Sequence, residues 1–558
     1  MTEAHHMPVP PERRPFRPTV LGPHAMVATP HYLASAAGLR VLHDGGNAID
    51  AAIAAAAVCS VVYPHMCSIG GDAFWLIYNA QTATVHGLNG SGRSGRQCSI
   101  DLYQTSGHAT IPSRGFFAAN TVPGAVDSWG MAYAYGQEHF GTHVSWSSLL
   151  EDAVTYAEAG FAVTQSQEQW TIRDTMDAAN TLGTLQQFEG FRRTYLTTSG
   201  APYQAGERMR QPALAQTFKA IASQGSRELY EGAVARAMVQ YLTQHHGMLT
   251  AEDFQAQQAE WVEPLHSTYR GYDAYGLPPN SQGLTALQLL NILEHFDVAS
   301  MGDEHADYYH LQIEATKLAF ADRDRWITDP DFQPVPIAHL LSQAYAQAQA
   351  SRIDMQRALP HYTTGNISGD TVYIAVVDAA GHAVSMLQSL YFDFGSGIVA
   401  GDTGVLLQNR GSFFSLDPGH VNRLEPRKRT FHTLIPAMLL HHGCLSLVYG
   451  TMGGEGQPQT QAALVSRIVD FGYEVQAAIE APRWLYGRTW GMATRDLFLE
   501  GRMSPSIVQE LARRGHPVRV VAPWDALLGH AQAIRIDPAT GIRQGGADPR
   551  GDGLAVGY

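Results

Sequence analysis

The spacing of hydrophobic positions changes near the middle of the chain. Between residues 125 and 325, apolar residues recur mainly at helical intervals, which predicts a mostly helical region. The predicted helices are Ala125–Phe140, Trp146–Ala159, Gln211–Ser223, Ala233–His245, Gly283–Phe296 and Ala306–Arg325. After residue 370, short apolar runs separated by turn residues predict paired strands instead. These strands are Thr371–Asp378, Ala383–Tyr391, Ala437–His441 and Leu445–Tyr449.

The N-terminal part of the chain predicts two helices followed by two strands. The helices are Ala34–Asp44 and Asn47–Val62, and the strands are Ala73–Asn79 and Thr84–Leu88. The most apolar run, Ala51–Tyr63, is shorter than the roughly 20 residues that a membrane-spanning helix needs. Its many alanines favour a helix that is packed tightly inside a protein core.

The most informative boundary lies between Asp370 and Thr371. The preceding stretch, 361–370, is polar and rich in turn residues, which predicts an exposed loop. Thr371 then begins a strand whose apolar character indicates burial. A chain cut here would give the threonine a free α-amine with an ordinary pKa of about 7.7–8.0, which can accept the proton of its own hydroxyl. On the pattern alone, a purely structural threonine at the start of a strand is the simpler interpretation.

Charge and composition exclude several classes of function. The net charge of −14 gives no electrostatic footprint for nucleic acid and disfavours binding to an anionic membrane. The N-terminal residues are polar and proline-rich and lack the apolar segment of a secretory signal. The four cysteines form neither a CxxC pair nor a metal-ligand pattern, as expected of free thiols in a reducing compartment. We therefore predict a cytoplasmic protein without nucleic-acid or membrane partners.

The sequence predicts neither a cofactor nor a metal ion. Residues 90–95 match G-x-G-x-x-G, but no helix start follows them and residues 113–117 lack the acidic residue of a dinucleotide site. The histidine pairs His5-His6, His245-His246 and His441-His442 lack the i, i+4 spacing with a glutamate that a helical zinc site uses.

Eight stretches of the chain follow one another in a recognisable order. They are Gly45–Ala52, Val122–Ala125, Leu249–Phe254, Leu277–Gly283, Ala319–Arg323, Asp329–Phe332, Phe394–Gly401 and Gly546–Tyr558. Together they resemble the γ-glutamyltransferase family, from about residue 25 to the C terminus. This resemblance implies an α+β protein with the four-layer αββα fold of N-terminal nucleophile hydrolases. It also implies a precursor that cleaves itself into a large subunit, 1–370, and a small catalytic subunit, 371–558, which stay together as a heterodimer. A dimer of such heterodimers is a further expectation.

The resemblance also assigns catalytic positions. The family's nucleophile falls on Thr371, so that Asp370 and Thr371 form the processing site. A second hydroxyl, which orients the nucleophile, falls on Ser389. The paired glycines whose backbone N–H groups form the oxyanion hole fall on Gly453 and Gly454. Glycine suits this role because backbone donors must approach the developing oxyanion without obstruction.

The positions that hold the glutamyl group in typical transferases differ in this chain. The arginine that binds the α-carboxylate falls on Ser91, with Arg93 two residues away as a replacement. The aspartate that binds the α-amine falls on Phe413. A nearby glutamine position is occupied by Arg410, which adds a positive charge. Three further substrate-binding positions differ as well, namely His432 and Thr433 in place of a serine pair and Tyr391 in place of an asparagine.

Loss of the amine-binding aspartate and gain of Arg410 imply an amide substrate with a carboxylate but no α-amino group. A guanidinium group binds a planar carboxylate through paired hydrogen bonds. This variant pattern resembles the oxamate amidohydrolase branch of the family, which forms oxalate and ammonia. Three alternatives stay open: a γ-glutamyltransferase or glutathione hydrolase, a glutaryl-type acylase, and an inactive, unprocessed binding homologue.

Overall fold

The computed structural model describes residues 15–141, 143–176, 185–360, 370–487 and 494–558. The loop predicted at 361–370 therefore lies outside the described residues, except for its last residue. The helices are α1 Tyr32–His43, α2 Ala48–Val62, α3 Ile100–Thr105, α4 Ala125–His139, α5 Trp146–Leu149, α6 Glu151–Ala159, α7 Gln165–Met176, α8 Glu189–Tyr195, α9 Pro212–Gln224, α10 Ala233–Gln244, α11 Ala251–Gln255, α12 Gly283–Leu293, α13 Val298–Met301, α14 Ala306–Trp326, α15 Ile337–Leu340, α16 Gln343–Ala350, α17 Gln457–Val469, α18 Val475–Glu480 and α19 Pro505–Arg513.

The strands belong to two large sheets and two small ones. They are β1 Val20–Gly22, β2 Met26–Thr29, β3 Asp72–Asn79, β4 Thr84–Gly90, β5 Phe161–Ala162, β6 Arg208–Met209, β7 Glu260–Val262, β8 Leu265–Tyr269, β9 Tyr272–Gly276, β10 Asp370–Val377, β11 Ala383–Tyr391, β12 Ala437–His441, β13 Cys444–Thr451, β14 Trp484–Tyr486, β15 Leu497–Glu500, β16 Val518–Val521, β17 Ala531–Ile536, β18 Arg543–Ala547 and β19 Leu554–Gly557.

Two seven-stranded antiparallel sheets form the centre of the molecule. The first, which we call sheet I, has the strand order β19-β2-β10-β11-β3-β4-β7. The second, sheet II, has the order β1-β18-β17-β13-β12-β9-β8. The small sheets are β14-β15-β16 and β5-β6. Each large sheet combines strands from both sides of the Asp370–Thr371 bond, so the two parts of the chain are interleaved.

The two large sheets pack face to face, and helices cover their outer faces. Tyr373 and Ala375 of β10 point into the core between the sheets, where they meet residues such as Met438 and Val448 of sheet II. The alternate residues of β10 point outward into a second core that contains α1 and α2. A third core joins the outer face of sheet II to α12, α14 and α17. The molecule therefore has the four-layer αββα arrangement that the resemblance implies.

The alanine-rich helix α2 shows why the outer layer can approach sheet I closely. All of its residues are buried, and their small side chains leave little space between helix and sheet. Asn47 caps the helix, because its side chain accepts hydrogen bonds from the backbone N–H groups of Ile49 and Asp50. The backbone N–H of Ala48 also donates to Asp378, just after β10, at 3.0 Å. The start of α2 is thereby tied to the strand that carries Thr371.

The predicted elements agree best where burial is complete. The strand predicted at Ala383–Tyr391 has the same bounds in the structure, and the helix predicted at Asn47–Val62 begins one residue later. The mostly helical region predicted at 125–325 also contains β7, β8 and β9, which the prediction missed. Only alternate residues of β8 are buried, so this short strand carries a weak apolar signal. The helix predicted at Trp146–Ala159 is divided at Leu150 into α5 and α6.

Candidate active site

Thr371 lies near the start of β10, on the face of sheet I that points toward sheet II. The pairing of β10 with β11 is irregular here: Asp370 pairs with Tyr391 and Val372 pairs with Gln388. Thr371 therefore stands opposite two residues of β11, at a bulge that redirects side chains locally. Its side chain is fully buried, and its hydroxyl has no hydrogen-bond partner among the described residues.

Thr371, Ser389 and Asp72 occupy neighbouring positions on the adjacent strands β10, β11 and β3 of this face. Ser389 of β11 follows Leu387, which points into the core between the sheets, so Ser389 shares the inner face with Thr371. In the register of β11 with β3, Ser389 pairs with Asp72. The Ser389 hydroxyl oxygen accepts hydrogen bonds from the backbone N–H of Tyr391 at 2.9 Å and from Nη2 of Arg410 at 2.8 Å. These two donors fix the position of the second hydroxyl beside the nucleophile strand.

Arg410 is a fully buried cation. Its Nη1 donates to the Thr433 hydroxyl at 3.2 Å, and its Nη2 donates to Ser389. In the described part of the chain it forms no ion pair, and its Nε lacks a hydrogen-bond partner. Burial lowers the pKa of Arg410 from 12.5 to about 10, and the charges of Asp72 and Tyr391 oppose this shift. The guanidinium is therefore charged at neutral pH and has unused capacity to bind an anion.

Aromatic rings form one wall beside Arg410. The guanidinium carbon lies 4.7 Å from the centre of the Tyr391 ring and 5.7 Å from that of Phe413. The two rings stack with centroids 4.1 Å apart. Tyr391 has a φ of 88°, a left-handed conformation that aromatic residues rarely adopt. The rings shield the cation from solvent, which strengthens its interaction with a bound anion.

Asp72 and His432 form a buried pair close enough to Arg410 for its charge to act on both. Asp72 accepts hydrogen bonds from the backbone N–H groups of Gly92 at 3.0 Å and Gly124 at 3.1 Å, and its second oxygen lies 3.2 Å from Nε2 of His432. Burial raises the pKa of Asp72 to about 6, against the lowering effect of Arg410 and these donors. Burial and the Arg410 charge hold the pKa of His432 well below its usual range. His432 is therefore a neutral donor to Asp72.

The paired glycines follow the end of β13. Gly453 has a φ of 126° and Gly454 a φ of 51°, values that favour glycine. The N–H groups of both residues make no hydrogen bond to any described residue. Unpaired backbone donors are rare in protein interiors. Two consecutive donors without partners are suited to stabilising a developing oxyanion.

Ser91 and Arg93, the two candidates for the carboxylate-binding position near β4, have different surroundings in the structure. Ser91 is buried, and its hydroxyl donates to Asn89 at 2.6 Å and accepts from Asn280 at 3.3 Å, so it belongs to a polar network with these two asparagines. Arg93 pairs with the carboxylates of Asp329 at 3.0 Å and Asp331 at 2.8 Å, and it is partly exposed. Its guanidinium is thus occupied by acidic side chains and has no contact with Ser389 or Arg410. Arg410 is the cation that the fold brings to Ser389.

Two residues of the site were missed in the sequence. Asp72 is the first residue of β3, one residue before the strand predicted at Ala73–Asn79, and no role in the site was predicted for it. Gln282 is buried, and its side-chain amide donates to the carbonyl oxygens of Thr433 at 2.9 Å and Gly454 at 3.0 Å. The sequence analysis included Gln282 only as a member of the Leu277–Gly283 stretch and predicted no role for it.

One group of side chains in the described ranges has ligand atoms close enough to hold a metal ion: His310, Glu314 and His516. His310 and Glu314 have i, i+4 spacing on α14, a pair that the prediction from the adjacent histidines did not include. Lys317 occupies an oxygen of Glu314 at 2.6 Å, and the two imidazoles bond to each other at 2.8 Å. None of these residues contacts the group around Thr371.

Of the helices described, none is long and apolar enough to cross a membrane.

Comparisons with known proteins identify the family of the chain. The family model described as gamma-glutamyltranspeptidase matches residues 34–558. The chain is 48% identical to the glutathione hydrolase-like YwrD proenzyme of Bacillus subtilis, over 97% of this chain and 99% of that protein. It is 42% identical to the oxamate amidohydrolase proenzyme of Klebsiella pneumoniae, over 96% of this chain and 98% of that protein.

The fold is also similar to a solved structure. The crystal structure of cephalosporin acylase from Bacillus halodurans has a TM-score of 0.88 and 36% identity, and the match covers 100% of this chain and 99% of that one. Both the sequence comparisons and the layer order therefore confirm the predicted N-terminal nucleophile hydrolase fold. The chain belongs to the γ-glutamyltranspeptidase family and is an enzyme that acts on amide bonds.

Proposed function

We propose that the chain is a self-processing amidohydrolase that cleaves itself between Asp370 and Thr371 and then uses Thr371 as its nucleophile. The names of both sequence relatives describe proenzymes. In the uncut chain, the Thr371 hydroxyl attacks the Asp370 carbonyl and forms an ester, which water opens. Cleavage leaves the large subunit 1–370 and the small subunit 371–558.

The interleaved sheets support the proposal that the two subunits remain together. In sheet I, β10 of the small subunit pairs with β2 of the large subunit, and β11 pairs with β3. In sheet II, β12 pairs with β9. Separation would break antiparallel strand pairs and expose the core between the sheets. A cut at residue 370 therefore changes the chemistry of Thr371 without requiring a new fold.

The proposed hydrolysis proceeds through an acyl-enzyme. The freed α-amine of Thr371 takes the proton of its hydroxyl, whose oxygen attacks the amide carbon. The N–H groups of Gly453 and Gly454 stabilise the oxyanion of the tetrahedral intermediate. The carbon–nitrogen bond breaks, and the leaving nitrogen takes the proton and departs as ammonia. Water then attacks the ester by the reverse sequence, which releases the acid and restores Thr371.

Arg410 is the observation that supports the substrate class. A buried guanidinium without a carboxylate partner is a costly feature unless a ligand supplies the negative charge. Phe413 and Tyr391 pack against it and occupy space beside the guanidinium, which favours a small acid over an extended chain. Oxamate, which carries a carboxylate directly beside its amide and no amine, matches these requirements. The proposed reaction is oxamate and water to oxalate and ammonium.

A second candidate is hydrolysis of a γ-glutamyl amide such as glutathione. The 48% identity to a glutathione hydrolase-like protein favours it. That substrate carries an α-ammonium group, and the carboxylate position expected to bind it is Phe413 here. The glutaryl-type acylase has the same need for a carboxylate anchor as oxamate but requires a longer pocket. We therefore place oxamate first.

Intact-mass analysis of the purified wild type and Thr371→Ala, followed by ammonia release from oxamate, tests this proposal. We expect fragments corresponding to 1–370 and 371–558 in the wild type alone, together with ammonia and oxalate in equal amounts. Cleavage without ammonia would retain the nucleophile and move the substrate assignment to γ-glutamyl or glutaryl amides. An uncut and inactive wild type would support the non-enzymatic binding homologue.

A further inference from the structure

Two stretches singled out in the sequence, Leu277–Gly283 and Ala319–Arg323, meet behind the paired glycines. Gln282 is the next-to-last residue of the first stretch and directly precedes α12, and its side chain is fully buried. One nitrogen of its amide donates to both the Gly454 and the Thr433 carbonyl oxygens. The same side chain therefore bridges the proposed oxyanion donors and the segment that binds Arg410.

Arg323 supports this bridge from α14. Its Nη1 donates to Oε1 of Gln282 at 3.4 Å, which orients the amide so that its nitrogen faces Gly454. Its Nη2 forms a buried ion pair with Glu455 at 2.7 Å, one residue after the glycines. The backbone N–H of Gln282 also donates to the carbonyl of His432 at 2.9 Å. Gln282 is thus held at both its backbone and its side chain.

Consecutive glycines need such external support because they lack the steric restraints of other residues. The Gly453 carbonyl accepts from the N–H of Gly456 at 2.8 Å, which orients the peptide that carries the Gly454 N–H. The next peptide, between Gly454 and Glu455, is held through its carbonyl by Gln282. Without that bond, the Gly454 carbonyl keeps the backbone N–H of Gln457 as its donor, and the left-handed conformation of Gly454 loses one of its two restraints at this carbonyl.

We propose that Gln282 is a positioning residue that keeps the Gly453 and Gly454 donors at a fixed place relative to Ser389 and Arg410. The inference rests on the proposed function, in which these donors stabilise the tetrahedral intermediate. Gln282 touches neither substrate nor nucleophile and acts only through the carbonyls of Gly454 and Thr433. Arg323 acts one step further away, by orienting the Gln282 amide.

The expected effect falls on the chemical step. Removing one oxyanion donor costs about 10²–10³ in kcat, and displacing one by about 1 Å costs roughly 10². The Gln282→Met variant keeps the volume and loses the hydrogen bonds, so we expect kcat to fall by about 10- to 100-fold. KM stays within about threefold, because the ground-state carbonyl uses the oxyanion donors little.

Gln476→Met is the matched control. Gln476 is also buried, and its amide also makes three hydrogen bonds: to Glu480 at 2.8 Å, to the Ala547 carbonyl at 2.9 Å and from the Ala547 N–H at 2.9 Å. It joins α18 to β18, away from Thr371. We expect both variants to lower Tm, and only Gln282→Met to lower kcat.

The assay uses the processed enzyme, and the concentration of active sites is taken as the cleaved fraction measured by intact mass. The substrate is oxamate if the wild type releases ammonia from it. Otherwise it is whichever γ-glutamyl or glutaryl anilide the wild type cleaves. A wrong substrate assignment therefore leaves the test of Gln282 valid. Arg323→Lys, which keeps a cation beside Glu455, provides a milder variant with an intermediate expected fall in kcat. Unchanged kcat per active site in Gln282→Met, or a rise in KM alone, would overturn the proposal.

Discussion

Arg410 gives the sharpest prediction, because its removal should lower activity and not stability. The Arg410→Met variant keeps much of the side-chain volume between Tyr391 and Phe413 while it deletes the charge. A buried arginine that serves the fold is usually paired with a carboxylate, and its loss destabilises the protein. Arg410 has no such partner among the described residues, so the two consequences of its loss can be separated.

The magnitudes follow from the contacts of Arg410. The lowering of its pKa from 12.5 to about 10 means that the fold disfavours the charged form by about 3 kcal/mol. Because the folded-state pKa lies below the unfolded value, this cost is fully present at pH 7 to 8 and is relieved only as the pH rises through about 10. Loss of the hydrogen bonds to Thr433 and Ser389 offsets about 1 kcal/mol each. The net change in the free energy of unfolding is therefore near zero or a gain of about 1 kcal/mol.

The effect on catalysis is larger and opposite in sign. Truncation of one partner of a buried charged pair costs about 2–5 kcal/mol, which corresponds to roughly 30- to 5,000-fold in kcat/KM. Ammonia release from oxamate measures this loss, and oxamide, the neutral diamide, serves as a comparison substrate. The wild type should prefer oxamate strongly, and Arg410→Met should lose that preference.

Arg467→Met is the control for removal of a buried arginine. Burial disfavours the charged form of Arg467, but Tyr308, Tyr309, Tyr473 and Asp303 together more than offset this and leave its pKa raised. Its Nη2 donates to the Pro482 carbonyl at 2.7 Å, far from the catalytic strands. We expect this variant to lower Tm and keep kcat/KM. A lowered Tm with unchanged oxamate hydrolysis in Arg410→Met would refute the assignment of Arg410 to the substrate.

Three further predictions concern the neighbours of Arg410. Ser389→Ala should lower kcat by about 10²-fold, because in the proposed mechanism the Ser389 hydroxyl orients Thr371, whereas Ser389→Thr should retain most activity; equal kcat in both variants, measured per processed enzyme, would contradict this. The KM for oxamate should fall as the pH drops from 7 through about 6, because protonation of Asp72 removes a negative charge beside Arg410. The Asp72→Asn variant should abolish this pH dependence. A KM of the wild type that does not change with pH is the contrary result. Phe413→Asp should place a carboxylate beside Arg410 and lower kcat/KM for oxamate by at least about 10-fold in steady-state assays; full activity would show that Phe413 does not border the pocket.

The sequence predicted those parts of the fold in which both faces of an element are buried. The strand from Ala383 to Tyr391 and the helix from Ala48 to Val62 carry long apolar runs, and their observed bounds agree with the prediction to within a residue. The strand at Leu265–Tyr269 lies at the edge of sheet II, where only alternate residues are buried. Its pattern is short and mixed, so hydrophobic spacing could not distinguish it from a loop between helices.

Long-range polar contacts limited what could be predicted of the site. Motifs directed attention to Thr371 and the paired glycines because local sequence identifies them. The Arg93 guanidinium pairs with Asp329, which lies 236 residues away in the sequence. The residues next to Arg93 in the sequence do not indicate this ion pair. The contact between Gln282 and Gly454 spans 172 residues, and that between Asp72 and Gln408 spans 336. Such pairs are set by the layer packing, which sequence periodicity does not specify.

The same layer packing explains why a self-cleaving precursor can have one site built from both of its parts. Asp72 and Gln282 precede the proposed cut, whereas Ser389, Arg410 and Gly454 follow it. Strand β10 lies inside sheet I, where it pairs with β11 from Val372 onward and with β2 at Ala375–Val377, so these strand pairs do not depend on the bond before Thr371. Cleavage then needs to change only the chemistry at its backbone nitrogen, from an amide that cannot take up a proton to an amine that can. In the proposed mechanism, the position of the threonine at the start of a paired strand therefore links processing to catalysis.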